Sequence, residues 1–189
     1  MSAITTRKMT VAEYVEWGER PENADRRTEL VDGEVVEVPS PRHFHCLVCN
    51  LVGHYLTLYF FKYGSGYTLN NDGGIVLSPT TMRGPDVSAF TGVMTDDDEK
   101  GYGVRMPVLC VEVVSPSDRP TELHKRVTQY HAAGIPIVWV VQPGDRAVFV
   151  HRKGKPVELF EGHDELTAEP ELPGFACRVS AFFTAPGRG

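Results

Sequence analysis

The length, composition and charge of the chain limit the number of domains it can form and the ways it can bind nucleic acid. It has 189 residues, 41% apolar and 23% charged, which suffices for one sizeable hydrophobic core and is short for two domains. Its 19 Lys and Arg against 25 Asp and Glu give a net charge of −6, which argues against a protein that coats nucleic acid through a general cationic surface, so any nucleic-acid contact must be local.

The start of the chain and its cysteines indicate a cytoplasmic protein without a membrane partner. No stretch approaches the roughly 20 uncharged apolar residues of a membrane helix, and the first residues lack the apolar segment of a secretion signal. The cysteines are few and unevenly spread, as expected in a reducing compartment: Cys46, Cys49, Cys110 and Cys177.

The N-terminal residues 1–40 predict an accessory layer. Thr10 and Glu13 have the spacing of a capping box, and apolar positions continue it into an amphipathic helix over residues 10–17. Two apolar runs, residues 28–31 and 34–38, flank an Asp-Gly pair that favours positive φ, which predicts a hairpin.

Residues 41–142 predict the core of a mixed α/β sheet. Apolar positions at helical spacing indicate a helix over residues 42–63, and strands are expected at residues 67–69, 75–77, 86–90, 107–114 and 137–141. A polar turn at residues 70–74 separates the first two strands, and residues 96–101 look like a solvated charged loop. A helix over residues 120–133 should connect the last two strands by a right-handed crossover.

The remaining residues, 143–189, predict an extension of one edge of the same sheet. Short antiparallel strands are expected at residues 149–151 and 157–160 and within residues 165–179, with prolines breaking the chain between them. Together with the core, this makes a single domain.

Two carboxylates carry the chemistry that the sequence predicts. Asp86 begins an apolar strand, and Glu112 lies inside another, where a carboxylate is expensive to bury without a cation or a strong donor. If the strands are neighbours, both acids can face one edge of the sheet and share a divalent cation, with the backbone carbonyl of Val113 as a further ligand. Such a cation would polarise a phosphate oxygen and help produce hydroxide from water.

Phosphodiester hydrolysis also benefits from a positive side chain near the developing charge. Lys125 and Arg126 lie on the helix that follows Glu112, with Arg126 on the flank of its buried stripe. A solvated helix face is an equally good interpretation of either side chain from the charge pattern alone.

Five segments occur in an order that is specific in combination, although each is weak alone. They are residues 28–36 (TELVDGEVV), Ser40-Pro41 followed by a histidine and a helix with Asn50-Leu51, Pro85-Asp86-Val87, residues 111–117 (VEVVSPS), and residues 130–136 (YHAAGIP) leading to Trp139-Val140-Val141. Through them most of the chain resembles the Uma-two-type restriction endonuclease family, a branch of the PD-(D/E)XK nuclease superfamily.

The resemblance implies a restriction-endonuclease-like core of order αβββαβ and a metal-dependent endonuclease that hydrolyses DNA. It makes Asp86 and Glu112 the metal carboxylates, with Mg²⁺ or Mn²⁺ as the cofactor, and Glu29 a further acid near the site. A family histidine follows the Ser-Pro pair, and His43 or His45 can fill that role. A homodimer is also expected from the resemblance.

Two departures from the family pattern concern the positive side chain. The superfamily's lysine two residues after the glutamate is replaced by Val114, and the substitute lysine on the next helix falls on Arg126, with Lys125 beside it. Arginine stabilises phosphate charge but donates a proton less readily than lysine. An alternative function is therefore a catalytically impaired, nuclease-like module that binds nucleic acid or a protein partner.

Other side chains have competing interpretations. A zinc site built from the histidines and cysteines of residues 43–54 is less favoured than buried packing of Cys46 and Cys49, because they lie in an apolar helical pattern. Core packing is likewise favoured over base stacking for Trp17, Tyr130 and Trp139.

Overall fold

The computed structural model describes residues 7–70, 73–102, 105–116, 118–185 and 187 as an alternation of helices and strands. The helices are α1 (Val11–Gly18), α2 (His43–Tyr63), α3 (Asp96–Lys100), α4 (Pro120–Ala132) and a closing 3₁₀ helix (Val179–Phe183). The strands are β1 (Thr28–Val31), β2 (Glu34–Glu37), β3 (Gly66–Asn70), β4 (Ile75–Ser78), β5 (Thr81–Arg83), β6 (Val87–Thr91), β7 (Leu109–Val113), β8 (Ile137–Gln142), β9 (Ala147–Arg152), β10 (Glu158–Glu161), β11 (Glu165–Thr167) and β12 (Ala176–Arg178).

A six-stranded mixed sheet forms the centre of the molecule. Its strand order is β10-β9-β8-β7-β6-β3, and every neighbouring pair is antiparallel except β7 and β8. The parallel pair is joined through α4, because parallel neighbours need a long crossover. The elements α2, β3, β6, β7, α4 and β8 follow the αβββαβ order, so the predicted fold class is confirmed.

The two faces of this sheet carry different helices. Alternate residues of β7 point to opposite faces, so Val111 and Val113 join the cluster that contains Val52 and Leu56 of α2. Cys110, the residue before Val111, packs on the other face with Tyr130 of α4. By the same alternation Glu112 faces α4.

A second, four-stranded sheet has the order β2-β1-β5-β4 and includes the predicted hairpin. At the hairpin turn both Asp32 and Gly33 have positive φ, as their sequence predicts. The predicted strands at residues 67–69 and 75–77 lie in different sheets, because β3 pairs with β6 and β4 pairs with β5.

Strand β5 has no signal in the sequence, because it has only three residues and all three are buried, which leaves no apolar alternation. Its place in the sheet is fixed from outside the strand. Leu30 of β1 is paired with Met82, and the Gly33 amide donates to the carbonyl of Thr80 at 2.7 Å. The accessory layer is therefore built from residues 28–37 together with residues 75–83.

The charged segment predicted as a loop is a short helix, α3. The Asp98 amide donates to the Thr95 hydroxyl, and the Asp98 carboxylate accepts from the Thr95 amide at 2.9 Å, which completes a capping box. An aspartate in the third helical position substitutes here for the usual glutamate or glutamine. The charge of the segment alone predicts a loop, whereas the spacing of Thr95 and Asp98 is the signal for the helix.

Only part of the C-terminal region extends the edge of the central sheet. Strands β9 and β10 add to β8 as predicted, whereas β11 and β12 form a separate two-stranded sheet. The last segment covers the α2 face of the core, where its apolar residues are buried: Leu166, Leu172, Phe175, Val179, Phe182 and Phe183. Residues 165–183 are therefore a layer of the core and not an edge.

Helix α2 is long and apolar enough, by length and composition alone, to cross a membrane. Core helices of soluble proteins pass the same test. In this structure the row Val48, Val52, Leu56 and Phe60 packs into the main core cluster.

Replacing a buried phenylalanine of the C-terminal layer should destabilise the whole domain. Phe182 is 0% exposed and lies between Tyr55 and Trp139, with ring centroids 6.0 and 6.2 Å away. We expect Phe182→Ala to lower the free energy of unfolding by about 3–5 kcal/mol. Phe61→Ala, at an 83% exposed position of α2, should change it by less than about 0.5 kcal/mol. Equal midpoints for both variants in urea unfolding would contradict the assignment of residues 165–183 to the core.

Candidate nuclease site

Asp86 lies where the β6–β7 ladder ends. The antiparallel register pairs Val87 with Val111, and continuing it would set Val113 opposite Pro85. The Val113 amide instead donates to Oδ2 of Asp86 at 2.7 Å. This hydrogen bond satisfies a strand amide beyond the last paired residue, and it fixes the carboxylate at the end of the sheet, directly beside the residue that follows Glu112.

Glu112 is a buried carboxylate with two strong donors. It is 3% exposed, and its Oε2 accepts from Nη1 of Arg126 at 2.7 Å while Oε1 accepts from the hydroxyl of Tyr130 at 2.5 Å. Both donors come from α4 at i, i+4 spacing, which places them on one helix face. Each carboxylate oxygen has a second lone pair, so these bonds leave acceptor capacity for a cation.

Burial determines the charge state of Glu112. It raises the pKa of the carboxyl from 4.5 to about 7; the Arg126 guanidinium opposes the shift, whereas the charges of Asp86 and Glu29 add to it. The three carboxylates are thus close enough to repel one another. Such a group of acids favours a bound cation, because the cation removes the repulsion.

Arg126 is the positive centre of this group. Burial alone would lower the pKa of its guanidinium, but the charges of Glu112 and Glu29 outweigh burial and raise it. Its Nη2 lies 3.7 Å from Oε2 of Glu29. Arg126 therefore stays protonated, and its side chain, 23% exposed, reaches the adjoining cleft.

Glu29 connects the accessory sheet to the loop that leads into Asp86. Its Oε2 accepts from Nη1 of Arg83 at 2.6 Å, and its Oε1 accepts from the Gly84 amide at 2.9 Å. Arg83 in turn donates from Nε and Nη2 to the side-chain oxygen of Gln129 on α4, at 3.0 and 2.8 Å. Because both oxygens of Glu29 are engaged, this residue positions the site through Gly84.

His45 lies on the α2 side of Asp86. Its Nε2 is 3.3 Å from Oδ1 of Asp86, and its Nδ1 is 3.4 Å from Sγ of Cys49 one helical turn later. The hydrogen bond with Asp86 raises the pKa of the imidazole; burial opposes the shift, and the backbone of Val113 adds to it. His45 thus holds its proton more readily than an exposed histidine.

A cleft of about 520 Å³ opens between the accessory sheet and the end of the central sheet. Of the residues predicted for the site, five line it: Glu29, His45, Asp86, Val113 and Arg126. The amide of Val113 is bonded to Asp86, and the predicted role of its carbonyl as a ligand stays a prediction. Glu112 lies behind this lining, in contact with Arg126.

Two predicted site residues lie apart from the residues that line the cleft. Lys125 is exposed, and its Nζ pairs with Oδ2 of Asp32 in the hairpin turn at 2.9 Å. His43 is exposed at the first residue of α2. The structure therefore favours Arg126 over Lys125 as the cation of the site, and His45 over His43 as its histidine.

The sequence did not indicate three residues that complete the site. Arg83 was overlooked because β5 was not predicted, although an arginine three residues before Asp86 in an otherwise apolar stretch was a usable signal. Gln129 was overlooked as its acceptor. Tyr130 is buried like Trp139, as predicted, but the prediction missed that its hydroxyl binds Glu112.

The predicted core packing was wrong for Trp17 and for Cys46. Trp17 is only half-buried; it stacks on Tyr14, lies under the guanidinium of Arg26 and lines the cleft. Cys46 is exposed, and Cys49 is half-buried beside His45. Helix α1 has no buried residue, because it covers the cleft and not the core.

The donor set fits a hard divalent cation. Asp86, just before β6, and Glu112, on the adjacent β7, offer the carboxylate oxygens that Mg²⁺ and Mn²⁺ prefer. The open cleft leaves room for the waters that Mg²⁺ keeps. The residues present can therefore hold the cation that this kind of fold implies.

Comparisons with known proteins identify the fold and the family of the chain. A solved structure with a similar fold is a putative nuclease belonging to DUF820 from Anabaena variabilis, with a TM-score of 0.77 and 16% sequence identity over 93% of this chain and 97% of that chain. No curated protein matches the chain. The model of the family described as "Uma2: Putative restriction endonuclease" matches residues 11–180. The chain therefore belongs to the Uma2 family and has a nuclease fold.

Proposed function

We propose that the protein is a magnesium-dependent endonuclease that hydrolyses phosphodiester bonds in DNA, with manganese as a substitute cation. The observation that carries the proposal is that Asp86, bound to the Val113 amide, lies beside the residue after Glu112, and that the guanidinium bound to Glu112 lines an open cleft. Membership of the Uma2 family supports the same reaction class. We also propose a homodimer, on the resemblance alone, and a cytoplasmic location, because the few, unevenly spread cysteines suit a reducing compartment.

The residues of the site have separable tasks in this proposal. Asp86 and Glu112 hold the cation, which when bound polarises a phosphate oxygen and lowers the pKa of water. Arg126 keeps its charge and faces the cleft, where it stabilises negative charge that develops on the phosphate. Tyr130 orients Glu112, and Glu29 orients the loop that carries Asp86.

The wall of the cleft supports a polyanionic ligand. Arg26 and Arg27 line it together with Trp17 and Tyr14 of α1. Basic and aromatic side chains side by side bind a sugar-phosphate chain and stack on its bases. This local patch suits a protein whose overall charge is negative.

The proposal is tested by cleavage with matched variants. Purified protein incubated with plasmid, linear duplex, single-stranded DNA and RNA should cut DNA with magnesium or manganese and stop when the cation is chelated. Asp86→Asn and Glu112→Gln should reduce cleavage to background, because each removes a negative oxygen donor from the cation. Asp97→Asn, a charge removal on exposed α3, should cleave like the wild type.

Cleavage that survives in both Asp86→Asn and Glu112→Gln would come from a contaminant and contradict the proposal. No cleavage with any substrate, together with tight binding of one nucleic acid, would favour the alternative of a nuclease-like binding module. The specific observation behind that alternative is that both oxygens of Glu112 already accept hydrogen bonds from α4.

Arg126 and Lys125 should differ sharply as variants. Arg126→Ala removes the charge in the cleft and leaves Glu112 buried without its ion pair, so we expect cleavage to fall by about 100-fold or more. Lys125→Ala loses an exposed ion pair with Asp32 and should change cleavage only a few-fold. Arg126→Lys should recover part of the rate, measured under single-turnover conditions. Equal losses for Arg126→Ala and Lys125→Ala would contradict the assignment.

The raised pKa of Glu112 predicts how stability depends on pH. Between its unfolded value of 4.5 and its folded value of about 7, the native carboxyl holds more proton than the unfolded one. The stabilisation is complete below the lower value and is lost as pH rises through the upper one, by on the order of 3 kcal/mol. Glu112→Gln should lack this loss in urea unfolding at about pH 5 and about pH 8.

A bound divalent cation should act in the opposite direction, because it favours the ionised carboxylate. Magnesium should therefore stabilise the wild type more at the higher pH than at the lower. An identical pH dependence in wild type and Glu112→Gln would show that another group is responsible.

A further inference from the structure

On the α2 side of Asp86 lie two possible metal ligands that the proposed reaction does not use, His45 and Cys49. His45 and Cys49 are four residues apart on α2 and point to the same side of the helix. One ring nitrogen of His45, Sγ of Cys49 and one oxygen of Asp86 all lie within 4.8 Å of one another. A nitrogen, a sulfur and an oxygen donor thus meet at the edge of the cleft.

The separations are close to those of ligands around one metal ion. The contacts are 3.4 Å between His45 Nδ1 and Cys49 Sγ and 3.3 Å between His45 Nε2 and Asp86 Oδ1. Tetrahedral zinc, with bonds of about 2.0–2.3 Å, sets its ligand atoms roughly 3.5 Å apart. Because the two contacts use different ring nitrogens, a shared cation needs a rotation of the imidazole or the carboxylate.

The chemistry of these donors selects a different cation from that of the nuclease site. Thiolate and imidazole suit zinc, whereas magnesium takes oxygen ligands and binds thiolates poorly. Three protein ligands leave the fourth position of zinc open to water, and His45 and Asp86 both line the cleft from which water enters.

The two sets of donors share Asp86 and lie on opposite sides of it. Cys49 packs with the α2 face of the core, whereas Glu112 is bound by Arg126 and Tyr130 of α4 on the other face. A cation held by the thiolate of Cys49 therefore lies on the α2 side of Asp86. When Asp86 binds that cation, it is not available to share a magnesium ion with Glu112.

We propose that His45, Cys49 and Asp86 form a zinc-class site that competes with the catalytic cation for Asp86 and inhibits the enzyme. Zinc binding ionises the thiol of Cys49, and its proton goes to solvent. Zinc binding by these residues does not depend on whether the protein is a nuclease. The inhibitory role rests on the proposed function. Removal of the zinc ion by a chelator would release Asp86 to magnesium.

Cobalt(II) is the probe for the site, because a cobalt–thiolate bond absorbs in the near ultraviolet. Titration of the full-length, reduced, metal-free protein should produce this charge-transfer band in the wild type. Cys49→Ser should abolish it, and Cys46→Ser, which removes an exposed thiol on the same helix, should keep it. Circular dichroism and thermal melting confirm that each variant is folded. A missing band in the wild type, or an unchanged band in Cys49→Ser, would overturn the site.

The shared carboxylate is tested without turnover. Asp86→Asn should weaken cobalt binding by about tenfold or more, because it removes a charged ligand. Unchanged affinity in this variant would overturn the competition.

Inhibition is tested on magnesium-dependent cleavage. Zinc should inhibit the wild type and Cys46→Ser equally, and Cys49→Ser should need at least about tenfold more zinc for the same inhibition. Equal sensitivity of Cys49→Ser would overturn the inhibitory role. A cobalt band without nuclease activity would leave the zinc site standing and refute the proposed function, whereas cleavage without a band would do the reverse.

Discussion

The hydrogen bond from the Val113 amide to Asp86 is the constraint on which the site depends. It forms where β6 stops pairing with β7, so the end of the ladder is completed by a carboxylate and not by another strand residue. The acid is therefore held directly by a backbone amide of the neighbouring strand. Its other oxygen, Oδ1, lies 3.3 Å from Nε2 of His45. Glu112 is the residue before Val113 on β7.

The electrostatics of the site follow from burial on one side and openness on the other. Glu112 is buried against Arg126 and Tyr130 of α4, and burial raises its pKa to about 7. Asp86 and Arg126 line the cleft. A group that is poised between protonated and ionised states responds strongly to a cation or a phosphate in the cleft. The same α4 turn supplies Arg126, Gln129 and Tyr130, so one helix orients Glu112 and, through Arg83, also Glu29.

Much of the fold could be predicted from the sequence, because its core elements have strong local signals. Helix α2, the buried strands β7 and β8, and the Asp32-Gly33 turn follow from apolar periodicity and backbone preference. Strand β5 could not be predicted, since it is short, fully buried and held by residues some fifty positions away. The layer formed by residues 165–183 was misassigned for a similar reason: its short strands carry no information about which face they cover.

The candidate site was predicted in part for the same physical reasons. A carboxylate in an apolar strand is costly to bury without a partner. The sequence therefore predicts a role for Glu112 and for a positive side chain such as Arg126 on the helix that follows it. Sequence spacing could not distinguish His43 from His45, because both begin the same helix and only the packing of α2 shows which one reaches Asp86. Arg83 and Gln129 meet only in the folded chain, 46 residues apart in sequence.

The chain passes from the central sheet to the four-stranded sheet and back, and this path limits which insertions and deletions the fold can accept. After β3 the chain leaves the central sheet, and β4 and β5 complete the sheet that the N-terminal hairpin begins. The chain rejoins the central sheet after Asp86, at β6. The hairpin therefore cannot be exchanged as a module or deleted without exposing the buried strand that carries Arg83. Insertions that alter ligand choice are better tolerated at the tip of that hairpin or at α3, where a change in length leaves the crossing segments intact.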